Sequence, residues 1–187
     1  MIQARRSARA GEDVRHIAPS RRYLCGLALA MLAAPQLTSA QTTGNQADKN
    51  AKVAWTIAPT TVPESARRAV ITLRGSVRDN WHIYAFKQRA TGPLPLVVAV
   101  GSNDAAIAGG VVAGSAPTVA FDPAFGFVTP YYERSFSLTV PVRLRAGLAP
   151  GRRTVPISVR YQSCDGRVCE PPKTVQLLAP IEIGAGA

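Results

Sequence analysis

Two stretches of strict alternation restrict this chain more than any other feature. In Arg134–Leu144, RSFSLTVPVRL, the residues Phe136, Leu138, Val140, Val142 and Leu144 fall on one side of an extended chain, and Ser135, Ser137, Thr139, Pro141 and Arg143 fall on the other. A side-chain period of two with a single apolar face is the pattern of a half-buried β-strand; a helix would scatter the same residues around its axis. Arg153–Gln162, RTVPISVRYQ, repeats it with Val155, Ile157, Val159 and Tyr161 inward. Further candidates are VAWTI (53–57), AVITLRGSV (69–77), WHIYAF (81–86), PLVVAV (95–100), TVAF (118–121) and KTVQLL (173–178), and no helical stripe of useful length interrupts them. Short strands separated by turns rich in Gly, Pro, Asn and Asp predict an all-β protein, an antiparallel β-sandwich. Pro141 and Pro156 stand on outward positions and predict edge strands or bulges, because proline cannot donate to a ladder. The segment 101–117, GSNDAAIAGGVVAGSAP, reads as a long glycine-rich loop with at most a weak strand.

The strands begin near Val53, and what precedes them is of another kind. Arg21-Arg22 leads into LCGLALAMLAA (24–34), then Thr38-Ser39-Ala40, then the polar QTTGNQADKN. A positive flank, a short apolar middle and small residues before a polar stretch describe a secretory signal peptide over residues 1–40. The apolar run is too short to span a bilayer comfortably. Ser20-Arg21-Arg22 matches a twin-arginine export signal only weakly, and Cys25 lies within the apolar run, to be discarded with the leader. Residues 41–52 are read as a flexible polar lead-in, and 53–183 as one domain.

Removing the leader takes six of the 22 Lys and Arg and two of the 11 Asp and Glu, so residues 41–187 carry 16 − 9 = +7 instead of +11. The basic residues are spread along strands and turns, with no basic run or aromatic–basic alternation that would point to nucleic acid. Both methionines, Met1 and Met31, leave with the leader, and so does His16; Cys164, Cys169 and His82 remain. That set lacks the ligands for a structural zinc site or a Met/His copper carrier. No metal or other cofactor is expected. His82, beside Trp81, reads as a packed structural residue, and no G-x-S-x-G turn supports a hydrolase.

Chemistry therefore concentrates in YQSCDGRVCEPP (161–172). With Gly166-Arg167 as the central residues of a tight turn, Asp165 faces Val168 and Cys164 faces Cys169 as a non-hydrogen-bonded pair, where Cα atoms approach to about 4.5 Å. A disulfide at the tip of a hairpin fits that spacing. Continuing the parity of the preceding strand turns the even-numbered Cys164 away from the core, within reach of another protein. Closing so short a loop stabilises by only about 2 kcal/mol. Close, accessible disulfides are the exchangeable ones, yet exported proteins carry short structural bridges too. Spacing alone leaves both readings open: a working dithiol, or a structural bridge in a non-catalytic immunoglobulin-like binding or accessory module.

The motif YQSCDGRVCEPPKTVQL resembles the active-site hairpin of the periplasmic N-terminal domain of the thiol:disulfide interchange protein DsbD. VRDNWHIYAFKQR (77–89) and FGFVTPYYERSFSLTVPVRL (125–144) resemble further parts of that domain, so the likeness covers most of residues 53–180. It implies an immunoglobulin-like sandwich that shuttles electrons through Cys164 and Cys169, with Cys169 forming the mixed disulfides and Cys164 resolving them. It also implies an aromatic cap in Phe121–Phe127, with Phe125 the first candidate and Phe121 the second. Tyr161 and Gln162 would flank the pair, and Asp122 or Asp165 would influence thiolate formation. The implied electron donor is a thioredoxin-like protein or a multi-helix membrane thiol transporter, and the acceptors are oxidised periplasmic proteins. The four-residue interval between the cysteines is shorter than in the best-known members. The 187 residues contain neither a multi-helix membrane segment nor a C-x-x-C, so the expected donor is a separate protein.

Overall fold

The computed structural model describes residues 51–184; the signal peptide expected over 1–40 and nearly all of the lead-in lie outside them. The described residues form β1 (Val53–Ile57), β2 (Thr60–Pro63), β3 (Arg68–Val77), β4 (His82–Tyr84), β5 (Val97–Val100), β6 (Ala106–Ala108), β7 (Ala113–Gly114), β8 (Thr118–Asp122), β9 (Phe127–Tyr132), β10 (Ser135–Leu144), β11 (Gly151–Tyr161), β12 (Ser163–Cys164) and β13 (Lys173–Gly184). None of these residues is helical.

The strands make three sheets. The first runs β1-β3-β10-β6, with β7 also on β10; the second runs β2-β13-β11-β5; the third runs β12-β4-β9-β8. All pairings are antiparallel except β2 with β13. The alternation read from the sequence sets the register. Leu138, Val140 and Val142 of β10 face inward with Ile71 and Leu73 of β3, and meet Val155, Ile157, Val159, Ala179 and Ile181 of the second sheet in one buried cluster. A strand slipped by one residue would carry its whole apolar set to solvent, so this pattern permits one register.

Both prolines depart from expectation, because β10 and β11 are interior strands. The Pro141 carbonyl accepts from Gly109 N–H (2.9 Å) and the Pro156 carbonyl from Gly101 N–H (2.8 Å). A strand residue directs its N and its carbonyl to the same side, so each missing donor faces a neighbour that has just ended. Pro141 lies where β6 gives way to β7, and Pro156 lies one residue beyond the end of β5. The segment 101–117 contributes β6 and β7, and β13 runs to Gly184, well past the expected 178.

An aromatic chain joins this core to the end of the molecule that carries the cysteines. Trp55 meets Phe136 edge-on at 5.5 Å and Tyr161 at 5.7 Å, and Phe136 stacks on Tyr132 at 4.5 Å. Gly75 makes room for it, since a Cβ there would fall inside the Phe136 ring.

Candidate functional site

The third sheet is built from short pieces, each started by a local signal. The Trp81 N–H closes a turn on the Arg78 carbonyl (3.0 Å), with Asn80 at φ 65°. Asparagine tolerates this left-handed region better than most residues. That turn ends β3 and launches β4. β11 stops at Tyr161; after Gln162 the chain changes sheets, and β12 pairs with β4, placing Ser163 opposite Ile83 and Cys164 opposite His82.

Beyond Cys164 the chain turns as expected. Asp165 N–H donates to the Val168 carbonyl (3.1 Å) and Glu170 N–H to the Ser163 carbonyl (2.8 Å). Those two bonds frame Cys164 and Cys169 as a non-hydrogen-bonded pair, Cα atoms 4.1 Å apart, joined by a disulfide. Gly166 takes φ 85°, where L side chains are strained. The Asp165 carboxylate accepts from Arg167 N–H (2.9 Å) and Val168 N–H (2.8 Å). The Val168 and Arg167 amides hold its pKa below the ordinary value.

The parity argument for exposed sulfurs fails at one of them. Cys164 is fully buried and Cys169 half-buried. The change of sheet after Tyr161 breaks the alternation, and Ser163 and Cys164 are both inside. Ser163 Oγ donates to Glu170 Oε2 (3.1 Å), which also receives Lys173 Nζ (2.9 Å). Burial pushes the Glu170 pKa up, but Lys173 and Ser163 outweigh it and hold the carboxyl below its ordinary value.

Residues directly opposed in an antiparallel ladder share a face, as do residues two apart on one strand. By that rule one face of the third sheet carries Cys164, His82, Tyr84, Tyr131, Thr129 and Asp122. The contacts agree. His82 lies edge-on to Tyr84 (5.1 Å) and tilted on Tyr131 (4.6 Å). Asp122, only 2% exposed, accepts at Oδ2 from the Tyr84 hydroxyl (2.7 Å) and Thr129 Oγ1 (3.5 Å), and at Oδ1 from Ala124 N–H (2.9 Å). His82 Nε2 is 3.5 Å from Asp122 Oδ2 and makes no well-formed hydrogen bond. Burial holds the imidazole pKa below its ordinary value, against the pull of Asp122. Burial and the Asp122 hydrogen bond push the Tyr84 hydroxyl well above its usual range, so it stays protonated. Tyr84 and Cys164 are fully buried but stand outside the main core cluster.

The other expected residues are distributed around this cluster. Phe125 packs edge-on against Tyr84 (5.6 Å) and near Phe127 (6.1 Å), within the turn that Asp122 closes. Phe121 lies on the opposite face of β8 from Asp122 and is 62% exposed. Tyr161 is buried against Trp55, and Gln162 Oε1 accepts from Leu94 N–H (3.2 Å), fixing the segment beside the hairpin. Sequence reasoning passed over Tyr84, Thr129 and β9, and set His82 aside as a packing residue. The pairing of β4 with β12, about eighty residues further along the chain, is what brings His82 to Cys164. Among the described residues no group of three or more His, Cys, Asp or Glu side chains is placed to hold a metal ion.

Comparison with known proteins points the same way as the hairpin. The family model described as "Thiol:disulfide interchange protein DsbD, N-terminal" matches residues 51–180. The structure of the reduced N-terminal domain of DsbD from Neisseria meningitidis is 19% identical, covering 67% of this chain and 90% of that one with a TM-score of 0.40. The N-terminal periplasmic domain of ScsB from Proteus mirabilis is 14% identical, covering 68% of this chain and 44% of that one with a TM-score of 0.44. AggA, the major subunit of aggregative adherence fimbriae type I from Escherichia coli, is 12% identical, covering 70% of this chain and 93% of that one with a TM-score of 0.37. No curated protein matches the chain at a significant level. The all-β immunoglobulin-like sandwich, the disulfide hairpin and the family match over most of the sequence lead to one assignment: the chain belongs to the family of the DsbD N-terminal domain.

Proposed function

We propose that this protein is a periplasmic thiol–disulfide exchange domain that passes electron pairs through Cys164 and Cys169. The observation that carries this reading is the asymmetry of the disulfide: a fully buried Cys164 sulfur bonded to the sulfur of a half-buried Cys169, at the tip of a hairpin in a chain of this family. An incoming thiolate attacks Sγ of Cys169. The Cys164–Cys169 bond breaks, its electron pair passes to Cys164, and a mixed disulfide joins Cys169 to the donor. A second donor thiolate attacks its own sulfur in that mixed disulfide and leaves as an oxidised pair, so the hairpin gains two electrons and two protons. Cys169 then attacks the disulfide of an acceptor and Cys164 resolves the product, returning the hairpin to its oxidised form. No step needs a metal or an organic cofactor.

The donor in this reading is a thioredoxin-like protein or a multi-helix membrane thiol transporter, and the acceptors are oxidised periplasmic proteins. The signal peptide read over residues 1–40 would deliver the domain to that compartment, where the ScsB domain also resides. Phe125, lying on Tyr84, is the candidate cap of the site.

The test combines two measurements. Equilibration against thiol buffers should give a reduction potential above about −250 mV; a value well below about −300 mV would mark a structural bridge and favour the binding-module reading. Cys164→Ala should accumulate a mixed disulfide with an oxidised acceptor, and Cys169→Ala should form none while remaining folded. Exchange retained by Cys169→Ala would refute the assignment.

A further inference from the structure

The proposed exchange leaves a proton unaccounted for at its most enclosed atom. To resolve a mixed disulfide, Cys164 must act as a thiolate, because the thiol is not the nucleophile. Cys164 is fully buried, so bulk water cannot serve as its base, and burial disfavours the charge it must carry. A base has to be supplied from inside.

The groups around it are nearly all committed. Asp122 is engaged by Tyr84, Thr129 and the Ala124 amide. The Tyr84 hydroxyl donates to that carboxylate and stays protonated. The Asp165 carboxylate is held by two backbone amides of its own turn, and Glu170 by Ser163 and Lys173. Tyr131, tilted on the imidazole, has its phenol pKa raised by burial. Arg78, Asp79, Glu133 and Arg134 line an open depression of about 420 Å³ that His82 and Tyr131 also border. Glu133, like Asp122 and Asp165, favours the charged imidazole. His82 is directly opposite Cys164 across the β4–β12 pair, and its Nε2 is buried without a hydrogen bond, 3.5 Å from Asp122.

Resting on the exchange reading above, we propose that His82 is the proton-accepting partner of Cys164, with Asp122 as the counter-ion of the imidazolium that forms. As the mixed disulfide is resolved, the imidazole takes the Cys164 proton. The Cys164 thiolate bonds to Cys169, the Cys169–acceptor bond breaks, and the electron pair leaves on the acceptor sulfur. The imidazolium then returns its proton to that sulfur or to water. In the reducing direction His82 takes a proton from solvent or from the donor thiol and gives it to Cys164 as the donor thiolate displaces it. Nucleophile, base and a third group beside the base form the arrangement that activates other buried nucleophiles.

The test uses the full chain carrying Cys25→Ser, so that Cys164 and Cys169 are its only thiols, reduced and then mixed with the chromogenic disulfide dithiobis-nitrobenzoate. Attack by Cys169 releases the first nitrothiobenzoate, and resolution by Cys164 releases the second. In His82→Gln and His82→Phe the first release should keep its wild-type rate. The second should slow at least about tenfold near neutral pH, its pH profile moving to the alkaline range of an unassisted thiol. Two wild-type phases in both variants would overturn the role of His82 and leave the exchange reading standing. Absence of the first release in the wild-type protein would overturn the exchange reading itself. A second measurement needs no His82 variant: the imidazole proton resonances followed by NMR against pH, with the His16 signals assigned from His16→Gln. His82 should titrate at lower pH in the reduced protein, where the Cys164 thiol can donate a hydrogen bond to the neutral imidazole, than in the oxidised one, where the sulfur carries no proton. Coincident titrations would overturn the proposal.

Discussion

The first two sheets and the third are built on different terms. Between the first two, the buried side chains of β3, β10, β11 and β13 are apolar apart from the Tyr161 hydroxyl, and parity alone decides which residues face in. The third sheet holds Asp122, Thr129 and Ser163, the buried polar residues among those described, together with the enclosed His82. A buried polar group costs free energy unless it is hydrogen-bonded, and apolar residues of similar shape would often serve stability as well or better. The molecule therefore places its stability in one region and its polar chemistry in the other, and the disulfide hairpin extends from the second.

The largest effect expected from this division is on stability. Leu138→Ala, in the middle of β10 and fully buried, should cost about 2–5 kcal/mol in urea unfolding. The variant that remains folded should exchange thiols at the wild-type rate. Asp122→Ala should cost less, about 1–3 kcal/mol, by leaving the Tyr84 hydroxyl and the Ala124 amide without their acceptor, and it should slow resolution by Cys164. If Asp122→Ala were as destabilising as Leu138→Ala and left exchange untouched, the third sheet would be ordinary core and the contrast would collapse.

Reducing the disulfide should have a smaller effect than the core substitution. The bridge spans a sequence separation of 5, and closing a loop of that length stabilises by about 2 kcal/mol. Urea midpoints of the oxidised and reduced protein, taken at one pH, measure the difference. A loss of 4–5 kcal/mol would make the hairpin a staple and move it, energetically, into the first region.

The two regions were also unequally legible in the sequence. β10 and β11 declared themselves because their two faces differ chemically at every step, and the inner residues read from them are buried. The cysteine turn was legible because Gly166 and Asp165 act locally: one adopts the left-handed backbone and the other holds the next amides. In the third sheet, β4 and β8 fell within stretches read as strands, but β9 and β12 gave no such signal. β9 contains Pro130 and a run of aromatic residues that reads as a loop, and its pairing with β4 and β8 supplies the order. The burial of Cys164 follows from a change of sheet at Gln162, which alternation within one strand cannot announce. His82 carried no local mark of function, because what distinguishes it is the residue across the ladder.

The smallest predicted effect separates the regions by pH. In the oxidised protein His82 has a pKa below its unfolded value near 6.5. The unfolded chain therefore binds more protons than the folded one as pH falls below 6.5. The stabilisation from the neutral imidazole is complete above that pH and is lost down through the folded pKa. Glu170 and Asp165 behave alike at lower pH, since their folded values lie below those of free carboxyls near 4; their contribution is complete above that range and is lost as they protonate. Urea midpoints followed from pH 8 to pH 3 should show a shallow decline beginning near 6.5 and a second one below about 4.5. His82→Phe should remove only the first decline, and Glu170→Gln should reduce only the second. Replacements between the first two sheets, where no side chain that titrates between pH 8 and pH 3 is buried, should shift the whole curve without changing its shape. A change of shape in Leu138→Ala would mean that the aliphatic core and the polar sheet share their electrostatics, and the division between them would have to be redrawn.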